Sequence, residues 1–543
     1  MNNRNSGLDK THDDPLYKLL EAIQARTDFG HNIEKFEIVE THISYILLTG
    51  HYAYKFKKHL KLAFLDFSTL KRRKRYCEEE IRLNSRTAPE LYVGVVAITG
   101  PWDLPVIDGD AEVLEYAVKM IQFPKGAELN YLLDEGRLSS RHIDNLARQI
   151  ASFHLSATII PLYHPSGSAL RIESQSEANF FYIQNFLKEN PDNYEKLEHI
   201  HLWTRSRFAE LNWQFITRKH QGYIRDCHGD LHLRNIILLN DKLRVFDCLE
   251  FSDELRQIDV ISDIAFLLMD LEARGGINPA WRFLDNYLQV TGDYQGVVLL
   301  RFYEIYRALV RVKVACIRLQ QSGLSTPEKE QHWNDLVLHL DLAFKYTIEQ
   351  KPVLIITHGL SGSGKTTMSQ QLLEQLGAIR ISSDVERKRL HGLSAYSSSY
   401  AKPGTGIYTD TESAQTYKHI AVTTKYLLEA GLTVIVDAAF LHLSQRKHFR
   451  KLASDAGVAF VIFDVQASKA NLQARVKQRS IRGRSISEAD LKVLDYQFVS
   501  AEALIGSELN NRVVITAEGQ PDIADIIRQI KLKAVNDALT IPS

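Results

Sequence analysis

The sequence predicts a multidomain chain, an α+β and helical part followed by a parallel α/β part. Three observations carry this. Between residues 43 and 122, short runs of β-branched and aromatic residues flank one charged helical stretch, as in a small antiparallel sheet. Between 353 and 516, apolar strands alternate with helical stretches, as in a parallel sheet covered by helices. At the first strand-to-helix turn of that alternation lies Gly359-Leu360-Ser361-Gly362-Ser363-Gly364-Lys365-Thr366, which fits the phosphate-loop pattern G-x-x-x-x-G-K-[ST] at every constrained position.

At 543 residues the chain is too long for one hydrophobic core. Its 66 basic and 66 acidic residues balance, so no global field draws it to nucleic acid or anionic lipid, and stable nucleic-acid binding is not expected. Cys77, Cys227, Cys248 and Cys316 are scattered, with no C-x-x-C pair. That argues against a disulfide framework or a zinc site and suits a reducing compartment. Met1 to Asp14 is polar, unlike a signal peptide, and no apolar run approaches the ~18 residues of a membrane span. The expectation is a cytoplasmic protein.

In chain order, residues 1–30 form an extension with one helix, Pro15 to Arg26. The runs Ile43–Thr49 and Tyr52–Lys57 flank Gly50-His51 and predict a hairpin, with Lys55 and Lys57 on one face and Tyr54 and Phe56 on the other. A charged helix over Lys71–Arg86 carries Glu78-Glu79-Glu80. Strands follow at Tyr92–Ile98 and Val113–Gln122, then an amphipathic helix at Ile143–His154. Later helices are expected at Trp281–Val290, Val297–Leu319 and His332–Ile348. Pro352 ends the last of these regions, so the first domain is read as 31–348 and the second as 352–543. Strands of the second domain are expected at 353–358, 378–383, 433–437, 459–465 and 512–516.

Two residue sets carry chemistry. The first is Cys227-His228-Gly229-Asp230-Leu231-His232-Leu233-Arg234-Asn235, with Asp247 at the end of the next short strand. Phosphoryl transfer needs one carboxylate to orient and deprotonate a hydroxyl. It also needs Asn and Asp oxygens to hold Mg²⁺ against the triphosphate, and Asp230, Asn235 and Asp247 supply that set. Asp259 and Asp263 follow at helical spacing.

The second set surrounds the phosphate loop. Backbone amides of Gly359 and Ser361 to Gly364 face a phosphate chain, Lys365 adds a mobile cation, Thr366 can hold Mg²⁺, and Thr367 follows on the helix. At the strand ends, Asp384 can deprotonate an acceptor hydroxyl and Arg387 can hold that acceptor. Asp437 can orient Mg²⁺ or its waters, and Arg475, Arg479, Arg482 and Arg484 can close over the triphosphate. A plain helix N-cap for Asp384 and a solvated basic face for the arginines are the alternatives.

The His228-Gly229-Asp230-Leu231-His232…Asn235 stretch with Asp247 resembles the catalytic loop and metal Asp of the aminoglycoside phosphotransferase and choline kinase group. The likeness covers residues 30 to 340 and implies a bilobal protein-kinase-like fold. It implies Asp230 as base, Asn235 and Asp247 as Mg²⁺ ligands, and Lys55 on the phosphates. Lys55 would be paired with Glu79 or Glu80, with Lys57 and Glu78 as rivals. Lys119 to Phe123 would be the hinge beside adenine. Two departures stand out: the hairpin has no G-x-G-x-x-G, and the metal Asp lies in Phe246-Asp247-Cys248.

Residues 352 to 535 are similar to small P-loop kinases of the polynucleotide kinase, chloramphenicol phosphotransferase, gluconate kinase and zeta-toxin group. That likeness rests on the phosphate loop, Asp384-x-x-Arg387 and the arginines. The order of the halves resembles bacterial proteins described as bifunctional aminoglycoside phosphotransferase/ATP-binding proteins. These likenesses imply ATP and Mg²⁺ at two sites, each phosphorylating a hydroxyl of a small molecule or nucleotide. Two other readings are a regulatory protein with one binding-only half and a toxin-like nucleotide-sugar kinase restrained by the N-terminal half. Were aminoglycosides the acceptors, Glu250, Asp253 and Glu254 would offer an acidic pocket.

Overall fold

Six antiparallel strands build the first sheet of the chain, in the order Glu37–Glu40, Ser44–Leu48, Tyr52–Lys57, Val113–Ile121, Tyr92–Thr99, Val106–Ile107. They are seen in a computed structural model that describes residues 14–538, except 34, 63–64, 322, 400–404, 483–487, 517–518 and 520. The chain forms two compact units. One comprises Met1–Leu138, Ser156–Arg171 and Arg218–Asp263, the other Ser139–Leu155, Ile172–Thr217 and Ile264–Ser543. These units do not divide at 349–352. Helices that precede the phosphate loop pack with the C-terminal sheet in the second unit.

In the first unit, strand alternation sorts the side chains as the sequence requires. Tyr54 and Phe56 join Tyr45, Leu47, Val96 and Ile98 under the helix Pro15–Arg26, which buries Leu16, Leu19, Leu20 and Ile23 on them. That helix starts with Asp14 as N-cap, its carboxylate accepting the Leu16 amide, and Pro15 in the first turn. On the other face, Ala53 packs with Cys77 and Ile81 of the helix Leu70–Asn84, and Lys55 and Lys57 point the same way. A second hairpin pairs Ile236–Leu239 with Lys242–Val245, and its turn residues Asn240 and Asp241 both take positive φ, as a tight two-residue turn demands. Ile224–Asp226 pairs with Gln257–Asp259.

The second unit has a helical core. Phe180, Ile183, Leu197 and Ile200 pack against Phe266, Met269, Ile305, Leu309, Leu336 and Leu340. The last helix before the phosphate-loop strand is Thr326–Tyr346, which starts six residues before the expected His332. The signal for that start is in the sequence: Ser325 and Glu328 form a capping box, with Pro327 in the first turn.

The C-terminal sheet is parallel throughout, in the order Ile379–Ser382, Val434–Asp437, Val353–His358, Ala459–Gln466, Arg512–Thr516. Each strand lies within one residue of its expected span. The phosphate-loop strand is central, and the third strand is inserted between it and the second. Chain connections therefore leave it in opposite directions, which opens a crevice at the carboxyl ends.

Two features tie the helix Ile277–Thr291 to the helices that follow the first two strands of this sheet. Arg282 bridges Asp144 and Glu374, the latter on the helix Lys365–Leu376. Arg389 donates to the carbonyls of Gln289 and Leu288, satisfying the orphan acceptors at the helix end. Its guanidinium fills the space where a Cβ on Gly292 would stand. No helix among the described residues is long and apolar enough to cross a membrane. The four cysteines are free and buried.

Candidate active sites

The first site is built on the turn after Ile224–Asp226. Gly229 takes φ +86°, and a Cβ there would meet the Leu255 carbonyl oxygen at 3.0 Å. The Asp263 carboxylate accepts the amides of His228 (3.0 Å) and Gly229 (2.8 Å), which sets the loop's direction. The Asp230 amide donates to His228 Nδ1, so the ring proton sits on Nε2 and donates to the Phe246 carbonyl at 2.9 Å. Burial lowers the His228 pKa, which keeps this neutral tautomer.

Asp230 is partly exposed, and the Asn235 side-chain amide donates to its carboxylate at 3.0 Å. His232 Nε2 lies 3.3 Å from the same oxygen. The Phe246 amide donates to the Asn235 carbonyl, placing Asn235 and Asp247 at the open end of one hairpin. Asp247 holds φ +61°, an uncommon conformation for a residue with a side chain, and its amide donates to the Tyr92 hydroxyl at 3.1 Å.

Lys55 Nζ lies 2.5 Å from Asp247 and 2.9 Å from Glu80. Lys57, wholly buried, bonds Glu80 at 2.8 Å and also Glu250. Of the two glutamates the sequence left open as the partner of Lys55, Glu80 takes the place and Glu79 does not. Glu79 pairs with Arg82 and lies 3.8 Å from Arg256, away from the lysines. The helix buries Arg73, Cys77, Glu80 and Asn84, a run spaced by three and four residues. With apolar Cys77 as anchor, that spacing selects Glu80 over its neighbours.

Glu250 is likewise no part of an acidic surface pocket. It is buried on Lys57, while Asp253 pairs with Arg256 and Glu254 with Arg171. The segment expected as the hinge runs off the end of a sheet strand. Lys119 to Ile121 are bonded into the sheet on both sides, and Gln122 and Phe123 lie beyond the strand, the Gln122 amide donating to the His51 carbonyl.

The electrostatics of this cluster follow from its inventory. Burial opposes charge on Lys55, but Asp247, Glu80 and Glu250 outweigh it and hold the ammonium well above its ordinary value. Burial also opposes charge on Glu80, yet Lys55 and Lys57 hold it below the usual carboxylate range. Burial pushes Glu250 up. Two ammonium groups face three carboxylates, a set that leaves room for a further cation.

The second site lies in the other unit. The loop after Val353–His358 takes positive φ at Gly359, Gly362 and Gly364. A Cβ at Gly359 would collide with the Val465 carbonyl, and one at Gly362 would stand 2.9 Å from the Leu472 carbonyl oxygen. Lys365 folds back across the loop to the Leu360 carbonyl (2.9 Å), and Arg475 braces the carbonyls of Gly362 and Ser363. The Ser361 amide donates to Gln497. Thr367 is exposed on the first helical turn.

Thr366 hydrogen-bonds Asp437, which is buried at the end of its strand and faces Ser382 in register. Asp437 Oδ2 and Ser363 Oγ are buried without a hydrogen-bond partner among the described residues. Burial drives the Lys365 pKa down to about 8; Asp437 and Asp384 oppose that and Arg479 adds to it.

Asp384 is not an N-cap. Ser382 holds that position, Asp384 falls in the first turn of Ser383–Leu390, and its carboxylate lies 3.9 Å from Arg387. Arg387 lies over the Tyr408 ring, 5.0 Å from its centroid. Arg479 donates to the Ala489 carbonyl, and burial lowers its pKa although nearby Asp384 opposes this. The Arg482 side chain and Arg484 lie outside the described residues.

Two family models match the chain, one around each site. A family model described as "Phosphotransferase enzyme family" matches residues 95–300, and one described as "AAA domain" matches 354–504. The first begins beyond Lys55 and Glu80. Among curated proteins, Uncharacterized protein Rv2004c of Mycobacterium tuberculosis and Uncharacterized protein Mb2027c of Mycobacterium bovis are each 30% identical over 457 residues. That span is 84% of this chain and 88% of each relative. Among solved structures, an ethanolamine kinase from Plasmodium vivax aligns with TM-score 0.36 and 12% identity, over 58% of this chain and 84% of its own. A gluconokinase from Sinorhizobium meliloti aligns with TM-score 0.25 and 21% identity, over 35% and 96%.

With a protein-kinase-like fold first and a P-loop kinase fold second, the protein is a phosphotransferase of the kinase class. The chain belongs to the family of those mycobacterial proteins.

Proposed function

We propose that both halves bind ATP with Mg²⁺ and that each transfers the γ-phosphoryl group to a hydroxyl of a small-molecule or nucleotide acceptor. Asp230 serves as base in the first site and Asp384 in the second. The observation that carries the reading is the double convergence. Asp230, Asn235 and Asp247 meet around one hairpin on Lys55. Lys365, Thr366, Asp437 and Asp384 meet at the carboxyl end of a parallel sheet. The four free, buried cysteines support a reducing, cytoplasmic setting.

The donors suit Mg²⁺, which takes hard oxygen ligands. Asp247 is partly exposed and is one of three carboxylates set against two ammonium groups. In the second site, Asp437 Oδ2 is buried with no hydrogen bond among the described residues, next to the Thr366 hydroxyl. Asn235 and Asp247 would hold the ion in the first site, Thr366 and Asp437 in the second. The bound ion neutralises the triphosphate and the charge that spreads over the transferring group.

The protein's own residues do the rest. Asp230 or Asp384 accepts the acceptor's hydroxyl proton as that oxygen bonds to the γ-phosphorus. The bond from phosphorus to the β–γ bridging oxygen breaks, and ADP leaves. Lys55 and Lys365 keep the phosphates in line. Arg387 orients the acceptor, and Arg475 and Arg479 face the second site's transferring group. Uniform turnover from one base would leave the second unused, so the test is separable. Acceptor-dependent ADP release is screened across metabolites for the full chain, Asp230→Asn and Asp384→Asn. Each variant is expected to lose a different part by about 10²–10⁴-fold. Unchanged release in both would end the two-site reading.

A further inference from the structure

Arg380 is buried on the edge strand Ile379–Ser382, and its guanidinium is shared among three elements. Nε and Nη2 hold the two oxygens of Asp285 at 3.1 and 2.6 Å, and Gln289 braces the same carboxylate at 2.6 Å. Nη2 also donates to Gln370 (2.7 Å), and Nη1 to the Thr366 carbonyl (3.1 Å) and Ser369 (3.4 Å). The remaining neighbour is the Asp437 carboxylate. Nη1 stands 4.0 Å from Oδ2, within ion-pair range but too far to hydrogen-bond, and that oxygen has no hydrogen-bond partner among the described residues.

Two carboxylates therefore flank one buried guanidinium, and only Asp285 is hydrogen-bonded to it, while Asp437 feels its charge across 4.0 Å. Asp285 lies on the helix Ile277–Thr291, within the region that matches the phosphotransferase family. Asp437 belongs to the phosphate-loop site. A buried guanidinium cannot stay unpaired without a large desolvation cost. Were Asp285 neutral, the nearest negative charge would be Asp437, and a shift of about 1 Å would close a charge-assisted hydrogen bond onto Oδ2.

We infer that Asp285 is a positioning residue for the second site: it holds Arg380 off Asp437 and so keeps Asp437 Oδ2 available to Mg²⁺. A residue of the first family region thereby sets the metal affinity of the second. The inference rests on the reading of Thr366 and Asp437 as the metal-holding pair.

The test is equilibrium binding of a fluorescent ATP analogue to the full chain, in Mg²⁺ and in EDTA. Signal lost in Lys365→Ala defines the phosphate-loop site, and the gain in affinity on adding Mg²⁺ is the readout. Asp285→Asn is expected to cut that gain by about 10–100-fold while leaving affinity in EDTA near wild type. Asp285→Asn/Arg380→Gln, which removes the intruding charge, is expected to restore it, and Arg380→Gln alone to keep it. An unchanged gain in Asp285→Asn overturns the inference. So does an Arg380→Gln variant that loses the gain, a result still readable if Asp285→Asn fails to fold. Should Lys365→Ala lose no signal, the failure belongs instead to the reading of the loop as a nucleotide site.

Discussion

The side-chain amide of Asn235 donates to the Asp230 carboxylate at 3.0 Å, so the proposed base and the proposed metal ligand are locked to each other. This contact makes Asn235→Asp informative. A second carboxylate 3 Å away disfavours ionisation of the first, so the pair shares a proton and the pKa of the base rises. The rate at the first site is then expected to fall near neutral pH and recover toward alkaline pH. A pH–rate profile of acceptor-dependent ADP release, read in an Asp384→Asn background, checks it. A profile parallel to that of the parent would remove Asp230 as the base.

Lys57 and Lys58 are sequence neighbours with opposite expectations. Lys57 is wholly enclosed between Glu80 and Glu250, so Lys57→Met strands the buried Glu250, leaves Glu80 with Lys55 alone and is expected to cost about 3–5 kcal/mol. Lys58 pairs with Glu40, which is half exposed, and Lys58→Met is expected to cost under about 1 kcal/mol. Denaturant midpoints of the two variants should separate clearly. Equal midpoints would contradict the buried cluster.

Glu304 offers a pH test away from both sites. Burial raises its pKa from 4.5 to about 8, with Glu272 adding to the rise and Arg301, 3.2 Å away, opposing it. Between those two values the folded chain holds a proton that the unfolded chain has released. Stability is therefore expected to fall as pH rises from about 4.5 to about 8 and to level off above. Glu304→Gln removes this contribution, so its melting temperature should decline less over the same range. Parallel melting curves for the two proteins would refute the assignment.

Gly377 closes the phosphate-loop helix at φ +66°, and a Cβ there would stand 3.0 Å from the Trp281 ring. Gly377→Ala is expected to cost about 1–2 kcal/mol from the left-handed backbone alone. The ring must also shift, so tryptophan emission should change with the melting temperature. A variant with native emission and native stability would contradict this packing.

The parallel sheet was legible almost to the residue, because buried parallel strands read as continuous apolar runs: Val353 to Ile356 and Val434 to Val436 are examples. The Asp230 loop was legible because its groups lie close in sequence and take their geometry from one turn. Glu80 was ambiguous only because three glutamates stand together, and helical spacing from Cys77 separates them. Lys57, Glu250 and Asp263 were harder. Their roles depend on which strand or loop a distant residue meets, as with Glu250, 193 residues from Lys57. Arg380 lay inside an expected strand without attracting notice, since nothing local marks an arginine whose partner is Asp285, 95 residues earlier.

The cap on Ile277–Thr291 has a consequence in time. Gln289 waits for Arg389, 100 residues further along the chain. At a synthesis rate of about 5–20 residues per second, the carbonyls at that helix end leave the ribosome roughly 5–20 s before the side chain that satisfies them. The second unit is thus finished late, and a ribosome stalled between the two positions would display the helix Ile277–Thr291 with its end uncapped.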